Sequence, residues 1–592
     1  MCGIAGVMPT SDGHSHDAIL ARLGDALAHR GPDGRGTYQA DRVAMVQTRL
    51  AIIDLQTGDQ PLHGPNHTTL IANGEIYNYR ELRAELGEDR FATRSDCEPP
   101  LFLYADGGTG FADRLRGMYA LAIHDRPSGR LVLSRDPFGI KPLYYAEHRD
   151  HFAFASEPQA LVAAGLVERN EEPLARAELL QMQFSTGANT PFAGVKRLLP
   201  GETVVVAGGR VLERRRRSVL PVEGPRPIDE AAALASLDRV LMESVDLHQR
   251  SDVPYGMFLS GGIDSSALLA VMARLNDRPV RAYTAGFRGA DVHDERARAR
   301  ATAKAAGAEH VEVEIGEDDV WRHLPRIAAA MDDPVADYAV IPTYLLAARA
   351  RQDLKVILCC EGGDELFAGY GRYRSAVRPW FWGGRGMRVK GMFDGLDVLR
   401  SQPAGWRDGM DAAETLAASH GALTRLQVAQ MIDFTDWLPN DLLTKVDRCL
   451  MAHGVEGRVP LLDPAVAQFA FALPDRLKVR GRLGKWLLRH WLEKALPEAD
   501  AFGRKRGFTV PVAQWLRGQG KRLGPLVAAQ AGVAALCRPD AVTRLFDSDD
   551  KRHGFAAWTL LFYALWHQRH MVGVEPGDAD TFAALDSARA DA

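Results

Sequence analysis

Ser260-Gly261-Gly262-Ile263-Asp264-Ser265-Ser266, set between the apolar run 255–259 and a helical pattern over 266–274, decides how the second half of this chain folds. Strand, small-residue loop and helix, in that order, aim backbone N–H groups and a helix N-terminus at a phosphate. Two glycines let an anion approach the main chain, and the serines add hydroxyl donors. No lysine follows the glycines, so this is neither a Walker loop nor the dinucleotide GxGxxG. Asp264 puts a carboxylate inside an anion site, where it repels phosphate unless a divalent cation lies between them. The loop therefore implies a nucleotide and a metal. Ser-Gly-Gly alone would read as a capped turn; the seven-residue string in this setting does not.

From about residue 230 strands alternate with helices, the pattern of a doubly wound parallel sheet. A helix is predicted over 231–247, and strands over 255–259, 280–285, 311–315 and 355–359. The last runs into Glu361-Gly362-Gly363-Asp364-Glu365, a second acidic glycine loop at a strand's C-terminal end, where α/β sheets hold ligands. One such loop is as easily a helix cap. Two on neighbouring strands place Asp264 and Asp364 around one nucleotide and its metal. Beyond them the chain turns helical, and the charges of 445–448, 456–463 and 484–489 are expected on exposed helix faces. The acidic, alanine-rich stretch 573–592 is expected to fray.

The first half opens Met1-Cys2-Gly3-Ile4-Ala5-Gly6-Val7, in what reads as an edge strand. With Met1 removed, Cys2 carries its own α-amine within reach of its sulfur, and an amine of pKa near ~8 can take the thiol proton. An isolated cysteine here would more often be a small buried thiol. Its neighbours weigh against that: His29-Arg30-Gly31-Pro32-Asp33, Arg49 at the head of a strand, Asn73-Gly74-Glu75 as a hairpin-type turn, and Ser95-Asp96-Cys97 before an apolar run. Together they supply an arginine fork for an α-carboxylate, an aspartate for an α-ammonium, and Asn plus backbone N–H for an oxyanion. This β-rich half is expected to end near residue 200, and 201–229, with Arg214 to Arg217, reads as a solvated linker.

Bulk properties narrow the field. At 592 residues the chain is too long for one core. A net charge of -4 argues against a nucleic-acid partner held by bulk electrostatics, and no apolar run approaches the ~20 residues of a membrane span. The six cysteines are too sparse for a disulfide framework, which points to a reduced, cytoplasmic compartment, and the start lacks the basic and long apolar regions of a secretory signal.

These residues, in this order, resemble the glutamine-dependent asparagine synthetases of bacterial type over nearly the whole chain. The match runs from Met1-Cys2-Gly3-Ile4 through Arg49 to Ile52, Asn73 to Glu75 and Ser95-Asp96. It continues with 260–266, 361–365, Lys445 to Arg448, Arg458 to Asp463 and Lys505-Arg506-Gly507-Phe508. The resemblance implies α/β and α+β architecture: an αββα N-terminal-nucleophile glutaminase sandwich (2–200), a linker, and an ATP-pyrophosphatase-type synthetase domain (230–572) with a helical end. It implies that Cys2 attacks glutamine, that Arg49, Asn73, Gly74, Glu75 and Asp96 hold glutamine, and that Asn73 and Gly74 serve the oxyanion. ATP would lie along Leu259, Ser260, Gly261, Gly262, Asp264 and Ser265, with Ala285, Cys359 and Cys360 near the adenosine. Asp264 and Asp364 would engage pyrophosphate and Mg2+, with Glu361 and Lys485 at the adenylated intermediate. A homodimer acting on glutamine, aspartate and ATP is implied as well. The chain departs from the family pattern at Cys359-Cys360, Ala368, Gly457 and Cys97. None of these removes a catalytic group. Two other readings are an amidotransferase for another carboxylate, such as a peptide or a cell-surface precursor, and a non-catalytic glutamine or nucleotide sensor. A sensor has no need of Cys2.

Overall fold

The strands of the first half are β1 (Gly3–Pro9), β2 (Gly34–Ala40), β3 (Val43–Arg49), β4 (Leu62–His63), β5 (Thr68–Ile76), β6 (Gly117–Asp125), β7 (Arg130–Arg135), β8 (Tyr144–Glu147), β9 (His151–Ala155), β10 (Val195–Arg197), β11 (Glu202–Ala207) and β12 (Arg210–Arg216). In the computed structural model, which describes residues 2–11, 16–289, 294–376, 378, 387–503 and 510–587, they form two six-stranded antiparallel sheets. One is ordered β10-β8-β9-β1-β3-β2 and the other β12-β11-β7-β6-β5-β4.

Side-chain alternation along each strand builds the layers. Ile4 and Met8 of β1 and Met45 of β3 meet Ile71, Ala120 and Leu133 of the other sheet. Ala5 and Val7 point the opposite way, onto Leu20 and Leu23 of helix Asp17–Ala26 and Leu161 of helix Pro158–Ala163. On the second sheet Leu121 and Ile123 face Leu101 of helix Pro99–Gly107. Helix, sheet, sheet, helix is the αββα sandwich.

Local readings were less reliable than the class. β1 lies between β9 and β3 rather than at an edge, and Arg49 ends β3 rather than heading a strand. Asn73-Gly74 makes no turn: it sits within β5, opposite Ala120 and Tyr119 of β6. A Cβ on Gly74 would lie 2.2 Å from the Met118 carbonyl oxygen, so the glycine serves close strand approach instead. Residues 202–216 are no linker but the hairpin β11–β12 on the second sheet. There Arg214 pairs with Glu202 (2.8 Å) and Arg215 with Asp113.

The second half centres on a five-stranded sheet of β13 (Tyr255–Phe258), β14 (Arg281–Phe287), β15 (Glu309–Ile315), β16 (Val356–Leu358) and β17 (Glu456–Arg458), ordered β15-β14-β13-β16-β17 with every pair parallel. The chain leaves β13 in one direction and returns on its other side. The strand order thus reverses between β13 and β16, and the two acidic glycine loops follow those two strands.

β17 went unread, because Glu456 and Arg458 look like water-facing charges. Both are fully buried and paired with each other (Nε to Oε1, 2.6 Å). Lys445, Asp447 and Arg448 do lie on a helix, Thr444–Met451, but are buried, as is Lys485. Within the stretch expected to fray, helix Thr581–Ser587 packs Phe582 on Trp321 (5.7 Å between ring centroids). The motif Lys505 to Phe508 lies outside the described residues. Among those described, no helix is long and apolar enough to cross a membrane.

Ala368, where glycine would be usual, is buried with φ 57°, a left-handed conformation that costs a Cβ-bearing residue about 1–2 kcal/mol. Part of this is offset by the greater freedom of glycine in the unfolded chain. Ala368→Gly is expected to stabilise by up to about 1 kcal/mol, seen as a raised melting temperature in scanning calorimetry. An unchanged or lower value would show that the methyl group packs well enough to offset the strain.

Candidate active sites

The first site forms where β1, β3 and β5 begin or end. Cys2 is 7% exposed; its N–H donates to Asn73 Oδ1 (3.2 Å) and its carbonyl accepts from Arg30 Nε (3.2 Å). Burial raises the thiol's pKa. Asn73 is wholly buried, and its Nδ2 has no hydrogen-bond partner among the described residues, which is the kind of donor an oxyanion requires. The pairing of Gly3 with Thr48 brings Arg49 alongside Cys2. Arg49 reaches Asp59 (2.6 Å) and the Asp54 carbonyl (2.5 Å). The Asp59 side chain is 82% exposed, so this pair is weak and a ligand carboxylate can replace it.

Glu75 and Asp96 stand together as buried acids. Burial pushes Asp96 up to about 6, although the Ile76 N–H donates to its Oδ2 (2.7 Å). Burial, Asp96 and Glu456 push Glu75 well above the carboxylate range. An ammonium group beside them would favour the ionised form of both.

The second site lies at the reversal in the parallel sheet. Ser260 Oγ accepts from the Gly262 N–H (3.2 Å) and sits 3.1 Å from Ser265 Oγ. Gly261 has φ +69°, and a Cβ there would lie 2.9 Å from the Ala299 nitrogen. Leu259 accepts from Thr284 Oγ1 (2.5 Å). Helix Ile263–Leu275 starts at once, so its free N–H groups face the loop. Ala285 on β14 and Cys359 after β16 are buried at the ends of their strands, with Cys360 half-buried.

The two acidic loops face each other closely. A Cβ on Gly363 would lie 2.5 Å from Asp264 Cγ, and one on Gly369 1.7 Å from Asp364 Oδ1. Lys485 closes the gap, its Nζ on Asp364 Oδ1 (2.7 Å) and on Asp264 Oδ2. Burial disfavours this ammonium, but the two aspartates outweigh it and hold its pKa above normal. Lys485 thus bridges the two aspartates that the sequence assigns to a metal. The hard carboxylate oxygens suit Mg2+ as well. No group of three or more acidic, His or Cys residues converges among the described residues, so such an ion would complete its shell from phosphates and water. Glu361, whose pKa burial raises against the pull of Lys445, keeps Oε2 without a hydrogen bond among the described residues. Beside Lys485 opens a cavity of about 380 Å³ with Arg374, Arg482 and Arg489 on its wall, an electropositive hollow suited to a polyphosphate.

The family descriptions that match are "Glutamine amidotransferase domain" over residues 1–216 and "Asparagine synthase" over 236–568. The chain belongs to the asparagine synthase family. These are carbon–nitrogen ligases that use glutamine as amido donor and ATP as substrate. The chain is 32% identical to asparagine synthetase [glutamine-hydrolyzing] 1 of Bacillus subtilis (strain 168), with 96% of each covered. It is 34% identical to a putative asparagine synthetase [glutamine-hydrolyzing] of Mycobacterium bovis, covering 96% of this chain and 97% of the relative. With asparagine synthetase B of Escherichia coli (strain K12) it shares 29%, over 86% and 82%.

What the sequence motifs did not reveal in this family member is how its two sites are tied together. Arg458 donates to the His248 and Arg250 carbonyls (2.9 and 2.6 Å) and reaches Glu75 Oε1 (3.3 Å) in the first site. Its own carbonyl accepts from the Cys359 N–H (2.7 Å) in the second. Arg30 holds the Cys2 carbonyl and forms a bidentate pair with Asp447 (2.8 and 3.0 Å). Arg448 reaches Asp332 (2.7 Å) and the Tyr144 hydroxyl (3.2 Å). Only the fold shows the long-range pairings: Arg30 with Asp447 spans 417 positions and Arg448 with Tyr144 spans 304.

If Asp96 holds the ammonium of glutamine, as the sequence resemblance implies, it must be ionised to do so: the KM for glutamine is then expected to rise as pH falls through about 6, while Asp96→Asn should have a high, flat KM across that range. A wild-type KM flat from pH 5 to 8 would overturn this. Arg458→Met leaves Glu75 and Glu456 buried without their cation and is expected to cost ~3–5 kcal/mol, measured by thermal denaturation.

Proposed function

We propose that this protein is a glutamine-hydrolysing asparagine synthetase, converting ATP, L-aspartate, L-glutamine and water into AMP, diphosphate, L-asparagine and L-glutamate. The observation that carries the reading is the closure of two facing acidic loops by Lys485 beside an arginine-lined hollow. It supplies, in one place, backbone N–H donors and a lysine ammonium for the two halves of a breaking triphosphate.

At the first site Cys2, freed of Met1, attacks the γ-amide carbon of glutamine, with its α-amine taking the thiol proton. Asn73 Nδ2 and the Gly74 N–H stabilise the oxyanion, Arg49 holds the α-carboxylate, and Glu75 and Asp96 hold the α-ammonium. Ammonia leaves, and water then releases glutamate from the thioester. At the second site the aspartate β-carboxylate attacks the α-phosphorus of ATP and displaces pyrophosphate. Ser260, Gly261, Gly262 and Ser265 cradle the phosphates, with Ala285, Cys359 and Cys360 around the adenosine. Lys485 follows the charge on the α-phosphate. Mg2+ held by Asp264 and Asp364 would neutralise the leaving pyrophosphate. Glu361, whose pKa burial raises above the usual carboxylate value, would take a proton from the ammonia that attacks the β-aspartyl-AMP carbonyl.

Free ammonia is mostly protonated near pH 7, so direct transfer between sites preserves the nucleophile. On this reading the glutaminase half ends with β12, the synthetase half begins at Glu230, and the protein works as a cytoplasmic homodimer without a nucleic-acid partner.

Pyrophosphate release measured with aspartate and with a panel of other carboxylates tests the acceptor. Release is expected with aspartate, and its absence would overturn the assignment. Cys2→Ala is expected to abolish glutamine-driven synthesis while ammonia-driven synthesis persists. Equal loss of both would show that Cys2 is not the glutaminase nucleophile.

A further inference from the structure

A second cavity, of about 480 Å³, lies away from both sites, between helices of the first half and the C-terminal segment. Its wall carries Arg22, Arg169 and Arg569, with His29, Phe192 and His570. Its size falls within the range of roughly 300–1,000 Å³ typical of small-molecule sites. Arg569 pairs with Glu575 (2.9 Å), whose side chain is 71% exposed, so that partner is readily given up. Neither Arg22 nor Arg169 has an ion pair among the described residues. Arg169 packs closely against Gly573, which has φ +93°: a Cβ there would lie 1.8 Å from Arg169 Nη1. His570, 3% exposed between Phe192 and Trp566, keeps Nε2 without a hydrogen-bond partner among the described residues. Three guanidiniums outnumber the two carboxylates that share the wall, Asp25, which pairs with Arg35 (2.7 Å), and Glu575, which pairs with Arg569, and they match a ligand of several anionic oxygens.

The wall of this cavity is three links from Cys2. His29 Nε2 lies 3.1 Å from Glu157 Oε1, and Gln159 Nε2 donates to Glu157 Oε2 (2.8 Å). Glu157 Oε1 accepts from Arg30 Nη1 (2.8 Å), and Arg30 Nε donates to the Cys2 carbonyl while its guanidinium clasps Asp447. A ligand that draws His29 or Gln159 toward the cavity loosens one side of Glu157, and Glu157 holds the arginine behind Cys2.

We propose that this cavity is a regulatory site for a small polyanion, phosphorylated or polycarboxylic, whose occupancy reaches Cys2 through His29 and Gln159, Glu157 and Arg30. The binding claim stands alone; the coupling claim rests on Cys2 being the glutaminase nucleophile.

The test uses the full-length protein without ATP or aspartate. Citrate and inorganic phosphate serve as probes, at constant ionic strength balanced with chloride. Calorimetry is expected to show saturable binding of at least one probe, and which probe binds separates polycarboxylate from phosphate chemistry. Glutamine hydrolysis is expected to change saturably over the same range. Arg22→Ser with Arg169→Ser, both on the cavity rim, should keep basal hydrolysis, weaken binding by about tenfold or more and remove the response. Gly573→Ala, which drives a methyl group into Arg169, should weaken binding without removing any charge. Gln159→Leu should bind normally and respond less. Binding of neither probe, or equal binding to wild type and the double variant, would overturn the site. Binding without any change in a measurable hydrolysis would overturn the coupling. Binding to a wild-type protein that hydrolyses no glutamine would uphold the site and sink the glutaminase reading instead.

Discussion

Buried ion pairs across the seam between the two halves are the constraint on which the rest of the molecule depends. Arg458, Arg30 and Arg448 are essentially inaccessible to water, and each finds carboxylates or carbonyls on both sides of that seam. Burying a charge is unfavourable unless partners surround it, and the net gain of such a pair over apolar packing is small. Their effect is therefore one of position. A guanidinium with several fixed acceptors tolerates little displacement, so the two halves meet in one arrangement.

That arrangement sets the electrostatics of both sites. Glu75 and Asp96 are left protonation-prone in the first, chiefly by burial, with the charge of Glu456 adding to it against the pull of Arg458. In the second, Lys485 is held by two aspartates and made more strongly basic. One pocket is thus poised to receive a positive group and the other to surrender its cation to phosphate. Both are suited to substrates whose charges complete them.

The glycine loops at 260–266 and 361–365 were readable because backbone anion sites need glycine at fixed places, whereas the strand order that brings them together is seen only in the fold. The motif resemblance likewise gave the sandwich. Asn73-Gly74 misled because turn propensity is local, whereas β6 fixes that segment as strand. Glu456-Gly457-Arg458 misled because charge ordinarily marks surface, and only a partner far along the chain can make it interior. Arg214 to Arg217 failed for a related reason: an edge strand tolerates charge, so β12 resembles a linker.

β17 is three residues long, yet through Arg458 it touches the first site by its side chain and the second by its backbone. It also belongs to the sheet of the second half while satisfying an acid of the first. Cutting the chain after β12 would remove Asp447 and Arg458 together, leaving Arg30 with the carboxylate of Glu157 alone and Glu75 without its arginine. The glutaminase half is thus built as one part of an obligate pair rather than as a detachable module, and its competence is inherited from residues translated hundreds of positions later.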